Sequence, residues 1–310
     1  MKVVVAGATG LVGSSMVRYF EAHGFEVIGV SRKNLDLLDS TATREFFMDI
    51  RPSLVIDAAA RVGGIGANNS LPVEFLQDNT LIQSNLMRAC HEAMVEKFVF
   101  LGSSCIYPRD SKQPIKEEYL MTGPLEITNS AYAIAKISGI ELVNSYRKEF
   151  GRRWISLMPT NLYGRGDNFD LNSSHVLPAL IRRFIEAEAL DKEEVVLWGS
   201  GSPLREFLHV DDLANAVHLC FKNYDSQIHL NIGSGNEISI RDLASLVAKI
   251  SGFKGKIVWD KTMPDGTPRK VLDSTRMREL GWEPKISLEQ GIRDTVQWYR
   301  TAQLNGTLRS

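Results

Sequence analysis

The stretch Lys2-Val3-Val4-Val5-Ala6-Gly7-Ala8-Thr9-Gly10-Leu11-Val12-Gly13 opens the chain and decides its fold. The run Val3–Ala6 is wholly apolar, which is typical of a strand buried on both faces of a parallel sheet. Three glycines and a helical pattern follow, and glycines so placed permit a tight turn and a close backbone approach to a pyrophosphate. The stretch favours a dinucleotide site over a purely structural turn. Its predicted cofactor-binding residues are Gly7, Ala8, Thr9, Gly10, Leu11, Val12 and Gly13.

Outward from this stretch, apolar runs and helical patterns alternate. Strands are predicted at Glu26–Val30, Leu54–Asp57 and Phe98–Leu101, and helices lie between them near Thr41–Ile50 and from Pro72 to about Glu96. Alternation at this spacing predicts an α/β fold of the Rossmann type, a doubly wound parallel sheet with ligands at the carboxyl ends of its strands. Each candidate motif described below falls at such an end or after it.

The residues after the second strand indicate which dinucleotide binds. An acidic residue here suits the ribose hydroxyls of NAD, whereas a basic residue suits the extra phosphate of NADP. Arg32 is therefore the main candidate for that phosphate, with Lys33 in support and a solvated loop cation as the alternative. Asp36 and Leu37 follow closely enough to border the adenine, and Asp36 leaves NAD open.

Composition narrows the range of partners. The 310 residues carry 36 Lys and Arg against 37 Asp and Glu, so the chain has no broad basic surface for nucleic acid or acidic lipid. No apolar run approaches the length of a membrane span, and no charged leader with an apolar segment opens the sequence. Cys90, Cys105 and Cys220 share no metal-ligand spacing and are too few for a disulfide framework. A reduced, cytoplasmic compartment and no metal are expected.

Three residues after the fourth predicted strand suggest a catalytic site. Tyr132 and Lys136 are four residues apart on a predicted helix and so lie on one face of it. A nearby cation is expected to lower the pKa of a phenol, which is ordinarily about 10, so that it can hand a proton to a carbonyl oxygen. Ser103, at the strand end, could hold that oxygen. The spacing alone is also compatible with a surface lysine beside a half-buried tyrosine.

The chain resembles the extended short-chain dehydrogenase/reductase family over essentially its whole length. The resemblance rests on the glycine turn, Ser103, Tyr132 with Lys136, and several longer segments. These segments are Ser103-Ser104-Cys105-Ile106-Tyr107-Pro108, Asn161-Leu162-Tyr163-Gly164, Ser174-His175-Val176-Leu177-Pro178-Ala179-Leu180, Arg205–Leu213 and Pro264-Asp265-Gly266-Thr267-Pro268-Arg269-Lys270. Some members are expected to carry an arginine in the glycine turn. This chain has Thr9 there, so Arg32 is expected to contribute more to binding the additional phosphate of NADP.

The resemblance implies an enzyme that uses NADP(H) and acts on a nucleotide-sugar. It points to 3,5-epimerisation of GDP-4-keto-6-deoxy-D-mannose followed by reduction of its 4-keto group, in a homodimer. Catalysis is then expected from Ser103, Tyr132 and Lys136. Further cofactor contacts are implied at Leu101, Gly102, Lys136, Pro159, Asn161, Leu162 and His175.

Epimerisation next to a ketone requires a base on one face of the sugar and an acid on the other. Cys105 and His175 suit this task because a thiol and an imidazole both change state close to neutral pH. By the resemblance Cys105 is the base and His175 the acid, although sequence alone does not fix the direction. The structural alternatives are a small buried cysteine and a helix-capping histidine.

The second half of the chain is expected to bind the nucleotide-sugar. Arginines bind diphosphate oxygens in a forked geometry, and an indole offers a stacking face. The substrate candidates are Arg183, Trp198, Arg205 and Asp265. Residues 1–161 and 204–232 are predicted to form the NADP-binding domain, and residues 162–203 and 233–310 a smaller C-terminal α/β substrate domain. Asp211 is predicted to cap a helix from Leu213.

Two other functions are compatible with these sequence features. One is another nucleotide-sugar epimerase or dehydratase of the same family, such as a 4-epimerase that retains and regenerates NAD. The other is a protein that binds NADP to regulate a partner without catalysis. Intact Ser103, Tyr132 and Lys136 argue against the second, because a sensor has no need of them.

Overall fold

A computed structural model of the chain describes residues 1–171, 173–263 and 265–308. The strands are β1 (Lys2–Ala6), β2 (Glu26–Val30), β3 (Leu54–Asp57), β4 (Lys97–Leu101), β5 (Ile155–Pro159), β6 (Asn161–Tyr163), β7 (Glu194–Trp198), β8 (Leu204–His209), β9 (Leu230–Ile232), β10 (Glu237–Ser239), β11 (Lys256–Asp260) and β12 (Arg269–Lys270). The helices are α1 (Leu11–Ala22), α2 (Ser40–Ile50), α3 (Ile65–Ser70), α4 (Pro72–Glu92), α5 (Ser130–Phe150), α6 (Val176–Ala189), α7 (Val210–Asn223), α8 (Ile240–Ser251), α9 (Thr275–Glu279) and α10 (Leu288–Leu304).

The main sheet is parallel and has the strand order β2-β1-β3-β4-β5-β9 within the described residues. The chain moves outward from β1 in one direction to β2 and in the other to β3, so the strand order reverses beside β1. In open α/β sheets, ligands bind outside the carboxyl ends of the strands at such a switch point. The predicted Rossmann-type fold is therefore confirmed, and the glycine turn after β1 lies at the expected place.

Alternating side chains of the central strands fill two apolar layers. Val4 and Phe98 face the layer under α4 and α5, while Val3 and Val99 face the layer that holds α1 and α7. Such strands are apolar on both faces because helices cover both faces of the sheet. The uninterrupted Val3–Ala6 run has this explanation, since its side chains are all fully buried.

A smaller set of strands and helices follows. β8 pairs with β10, β12 and β6, and β7 pairs with β11. A third apolar cluster lies between α6, α8 and α10 and includes Phe184 and Leu243. Within residues 204–232, β8 pairs with this part of the chain, while β9 joins the main sheet. The exact domain division remains a prediction.

Helix ends differ from the prediction at two places. The helix after β8 begins at Val210, and the His209 side chain caps it by accepting a hydrogen bond from the Asp211 amide at 3.3 Å. The predicted Asp211 cap is therefore wrong, because Asp211 already lies in the first turn and pairs with Arg18. The helix after Pro72 ends at Glu92, before the left-handed Met94. Across the described ranges, none of the helices is both long and apolar enough to cross a membrane.

Candidate active site

The glycine turn after β1 has no room for side chains at two positions. Gly7 has φ of +77°, and a Cβ there would lie 2.6 Å from the Ala58 carbonyl oxygen. A Cβ on Gly13 would lie 2.1 Å from the Gly7 carbonyl oxygen. The turn therefore packs closely against the end of β3 and the start of α1. Without side chains at these positions, its backbone N–H groups are accessible to a ligand.

The start of α1 suits a dinucleotide pyrophosphate. Its N-cap, Gly10, offers no capping side chain, and the first turn carries no acidic residue. The free amides and the helix dipole both favour an anion at this position. Arg32 and Asp36 are exposed beyond β2, whereas Leu37 is buried in the apolar layer under α4. The residues therefore fit a dinucleotide, and the Arg32 guanidinium is free to reach an additional phosphate.

The remaining predicted cofactor residues lie at the ends of β4, β5 and β6. Gly102 lies so close to Met158 that a Cβ would fall 2.3 Å from its sulfur. Pro159 is buried at the end of β5. The Asn161 amide donates to the Glu206 carbonyl at 2.8 Å, and Leu162 packs into the layer with α1 and α7. These positions border the cleft, and their contacts to a cofactor remain predictions.

Ser103 joins two of the predicted catalytic groups. It lies directly after β4, and its hydroxyl accepts a hydrogen bond from the Cys105 amide at 3.3 Å. Its side chain is also hydrogen-bonded to Tyr132, which lowers the pKa of that phenol. Tyr132 sits in the first turn of α5, and its ring meets Phe75 edge-on at a centroid distance of 6.2 Å. The strand end and the helix start therefore converge as the sequence predicts.

The predicted effect of Lys136 on Tyr132 is absent from the structure. Burial raises the pKa of Tyr132, and the charge of Cys105 raises it further. The Lys136 ammonium instead donates to the Leu101 carbonyl at 2.9 Å and lies 4.8 Å from the Phe100 ring centroid. Its charge is directed at the sheet beneath the phenol, so the chain alone keeps Tyr132 a protonated hydroxyl at neutral pH.

A buried acid beneath Lys136 escaped the sequence analysis. Asp57 ends β3 with no exposed surface, next to Phe100 in the sheet register. Burial raises its pKa to about 6, against the opposing effect of Lys136. Burial likewise lowers the pKa of Lys136, and the Asp57 charge raises it. A carboxylate at the end of an otherwise apolar strand, Leu54–Asp57, was the available signal.

Cys105 and His175 both lie within the electrostatic reach of Lys270. Cys105 is half-buried in a 3₁₀ turn at Ser104–Ile106. The Lys270 ammonium donates to its sulfur at 3.7 Å. His175 immediately precedes α6 and keeps exposed surface, yet the surrounding protein lowers its pKa and the Lys270 charge lowers it further. The charge of one lysine thus acts on both predicted epimerisation groups. The charge of Cys105 in turn raises the pKa of Tyr132.

The glycine-rich segment Arg61–Gly66, which follows β3, is held by contacts to a distant part of the chain. Its last residues begin α3, and the Gly64 amide donates to the Ser173 carbonyl at 2.9 Å. A Cβ on Gly64 would lie 2.9 Å from the Ser174 carbonyl oxygen. The loop therefore supports the segment that leads into His175.

The predicted substrate residues surround one loop between β7 and β8. The Asp265 carboxylate accepts hydrogen bonds from the Ser200 amide and hydroxyl, at 2.9 and 2.6 Å. Asp265 also raises the pKa of Arg205, which burial lowers. Arg183 donates to the Val196 carbonyl at 3.3 Å, and the Trp198 indole is 65% exposed on the same strand. Pro264, the first residue of the predicted motif here, lies outside the described residues.

Within residues 1–171, 173–263 and 265–308, no cluster of three or more His, Cys, Asp or Glu side chains could hold an ion. The groups that converge are instead a phenol, a hydroxyl, a thiol, an imidazole and two ammonium groups. They can hold an oxygen and move protons on either side of a bound molecule.

A parallel Rossmann-type sheet with this arrangement of side chains defines a dinucleotide-dependent enzyme that handles protons at a carbonyl. The NAD dependent epimerase/dehydratase family matches residues 3–233, and the chain belongs to this family. The chain is 52% identical over 299 residues to GDP-L-fucose synthase 1 of Arabidopsis thaliana, covering 96% of this chain and 93% of that protein. It is 50% identical over 308 residues to GDP-L-fucose synthase of Escherichia coli, covering 96% of both.

The fold comparison agrees with the sequence comparison. The crystal structure of a GDP-L-fucose synthetase from Naegleria fowleri bound to NADP superimposes with a TM-score of 0.91 at 30% identity, covering 100% of this chain and 96% of that one. The family predicted from the glycine turn, Ser103, Tyr132 and Lys136 is therefore confirmed.

Proposed function

We propose that this chain is a GDP-L-fucose synthase, which epimerises GDP-4-keto-6-deoxy-D-mannose at C3 and C5 and then reduces its 4-keto group with NADPH. The relatives at 50 and 52% identity carry this name. The observation that supports the proposal is a set of contacts: Ser103 is hydrogen-bonded to both Cys105 and Tyr132, and Lys270 contacts Cys105 and acts electrostatically on His175. Epimerisation and reduction need Cys105, His175 and Tyr132 at a single ketosugar.

NADPH is the fitting cofactor. The glycine turn suits a pyrophosphate, and the exposed Arg32 after β2 suits the additional ribose phosphate. The structural relative from Naegleria fowleri is bound to NADP. When bound, NADPH supplies the hydride for the carbonyl carbon. The chain's own residues must hold the ketone against it and exclude other geometries.

The reductive step uses Ser103 and Tyr132. Ser103 holds the ketone oxygen by a hydrogen bond, and Tyr132 donates the proton that the oxygen takes up as the carbonyl is reduced. The raised pKa of Tyr132 suits this role, because the hydroxyl remains protonated until the oxygen becomes strongly basic. Lys136 anchors the start of α5 to the Leu101 carbonyl and so fixes the phenol's position.

The epimerisation steps use Cys105 and His175 on opposite faces of the sugar. The ketone acidifies the hydrogens on both neighbouring carbons. The Cys105 thiolate removes one such proton and becomes a thiol, and the C–H electron pair enters the enolate. The His175 imidazolium then returns a proton to the opposite face and becomes neutral. Transfer of the thiol proton to the imidazole through solvent restores both groups for the second carbon.

The nucleotide end of the substrate fits the loop between β7 and β8. Trp198 on β7 offers an open indole face, and Arg183 on α6 donates to the Val196 carbonyl of the same strand. Arg205 and Asp265 lie opposite, with Gly266 against the Arg205 guanidinium. This loop is therefore the proposed site for the diphosphate and the base.

We infer a homodimer in the cytoplasm for the working protein. Leu76 and Leu81 on α4, together with Ile134 on α5, expose apolar side chains on neighbouring helices. The pair α4 and α5 would provide an apolar face for a second copy. The three cysteines are all free, which fits a reducing compartment. Light scattering of the purified protein tests the dimer, for which a mass near twice 34.6 kDa is expected.

A product assay tests the activity directly. Purified protein is incubated with NADPH and GDP-4-keto-6-deoxy-D-mannose, and the product sugar is identified by NMR. GDP-L-fucose with one NADPH consumed per sugar is expected. A GDP-6-deoxyhexose with unchanged configuration at C3 and C5 would remove the epimerase half of the proposal. An absence of NADPH consumption would reject the proposal in favour of an NAD-retaining epimerase or a non-catalytic sensor.

A further inference from the structure

Lys270 is a cation that contacts the sulfur of Cys105. Its ammonium lies 3.7 Å from Sγ and donates to it. The same charge opposes protonation of His175. In the sequence, Lys270 is only the last residue of a segment shared with the family, and no role was predicted for it.

The fold holds Lys270 rigidly at this position. Its strand β12 pairs in parallel with β8, where Lys270 lies beside Arg205. The next residue, Val271, donates its amide to the Gln113 side chain at 2.9 Å and accepts from the Ile115 amide at 2.8 Å. The backbone next to Lys270 is therefore held by hydrogen bonds to the loop that follows Cys105.

A buried acidic residue holds the chain just after the same strand. Glu206 has no exposed surface, and its carboxylate accepts hydrogen bonds from the Leu272 amide at 3.1 Å and the Gly235 amide at 2.6 Å. Arg269 is engaged in a two-point ion pair with Glu237, at 2.7 and 2.6 Å. The two cations of β12 thus have separate environments, one paired with a carboxylate and the other beside a thiol.

We propose that Lys270 is the charge partner of the epimerisation base: its ammonium, in contact with the Cys105 sulfur, stabilises the thiolate. A cation in contact with a cysteine favours the reactive thiolate. The role rests on the proposed function, since the thiolate is the base of the epimerisation. The surrounding titratable groups are Tyr132 on α5 and His175 before α6, with Arg205 next to Lys270 on β8.

The contact of Lys270 with Cys105 acts in the direction that proton removal requires. A negative sulfur beside an ammonium is favoured over a neutral thiol, so more of the base is present at neutral pH. The lysine itself neither gains nor loses a proton, and the proton balance of the epimerisation is unchanged.

Alkylation by iodoacetamide measures this effect without substrate or cofactor. Cys90 and Cys220 are buried, so the half-buried Cys105 is the accessible thiol. Only the thiolate reacts at an appreciable rate. In Lys270→Met, which keeps the length and removes the charge, we expect about a tenfold slower alkylation at pH 7.

Matched variants separate charge from packing. Lys270→Arg keeps the cation and should alkylate within about threefold of the parent protein. Lys261→Met removes an exposed lysine after β11 and should have no effect. A melting temperature is recorded for each variant, so that a folding defect is recognised. Equal alkylation rates in Lys270→Met and the parent protein would overturn the proposal.

Deuterium exchange provides a second readout on the chemistry. Solvent deuterium incorporation at C3 and C5 should fall by about tenfold in Lys270→Met, while the dissociation constant for GDP changes by less than about twofold. Weakened GDP binding with unchanged alkylation would instead identify Lys270 as a diphosphate ligand. If the protein makes no GDP-L-fucose, the alkylation experiment still decides the Lys270–Cys105 contact.

Discussion

The two proton-handling centres of this protein differ in burial, although each contains a lysine next to a proton donor or acceptor. At the reductive centre, Lys136 is buried and its ammonium donates a hydrogen bond to the Leu101 carbonyl. At the epimerisation centre, Lys270 is half-buried and contacts the Cys105 sulfur directly. In the proposed mechanism the first lysine therefore acts through position, and the second acts through charge.

Burial explains why the two lysines act differently. Desolvation lowers the pKa of Lys136 and raises that of Tyr132, so the low-polarity surroundings favour neutral forms of both. A group that must donate a single proton to a strongly basic oxygen is well served by remaining neutral. A thiolate that must remove a proton from carbon needs a cation in a more solvated place, where its charge is retained.

Removing the phenol should give the largest effect and separate the centres. Tyr132→Phe is expected to lower NADPH oxidation by at least about a thousandfold, because it removes the proposed proton donor to the ketone oxygen. Solvent deuterium incorporation into the sugar and NADPH affinity should stay within about threefold of the parent protein. Retained NADPH oxidation in this variant would show that the proton comes from elsewhere.

Changing the thiol should act on the opposite centre. Cys105→Ser is expected to lower deuterium incorporation at C3 and C5 by about a hundredfold, since a hydroxyl is a far poorer source of a base at neutral pH. NADPH binding, measured by fluorescence, should be unchanged. Cys220→Ser is the matched control, because that cysteine is buried in the apolar layer with α1 and α7. Deuterium incorporation as fast as in the parent protein would refute the role of Cys105 as base.

The buried Asp57 tests how burial shapes the reductive centre. Its pKa is raised from 3.8 to about 6 in the folded chain, so ionising it opposes folding. The associated destabilisation is absent below pH 4, grows between pH 4 and 6, and reaches up to about 3 kcal/mol above pH 6. Relative to the parent protein, Asp57→Asn should therefore gain stability across this range.

Urea unfolding at pH 4.5, 5.5 and 7 measures this difference. Asp36→Asn serves as the control, because Asp36 is exposed and should show no such trend. A stability difference between Asp57→Asn and the parent protein that stays constant with pH would mean that Asp57 ionises in the folded protein as it does in the unfolded one.

The smallest expected effect is shared by both centres. Trp198→Ala removes the open indole face and should raise the concentration for half-maximal rate by about tenfold, which corresponds to the loss of one stacking contact. Because both centres use the same bound sugar-nucleotide, NADPH oxidation and deuterium incorporation should be affected equally. An effect on only one of them would place Trp198 beside that centre alone.

The sequence alone determined the fold and most of the cleft's contents. The apolar Val3–Ala6 run with its glycine turn requires a strand buried on both faces and a close helix, and this identifies a Rossmann-type sheet locally. The four-residue spacing of Tyr132 and Lys136, and the position of Ser103 at a strand end, are likewise local features. Periodicity and spacing predict these features because the features depend on residues that are neighbours along the chain.

Only the tertiary structure decided the protonation states of the site residues and which charges act on them. Whether Lys136 acts on Tyr132 or on the sheet beneath it depends on where the Leu101 carbonyl and Asp57 lie, and β3, β4 and α5 come together only in the fold. The contact between Lys270 and Cys105 joins residues 165 positions apart. A pKa depends on burial and on charges from distant segments, so the sequence could name these groups but could not assign their states.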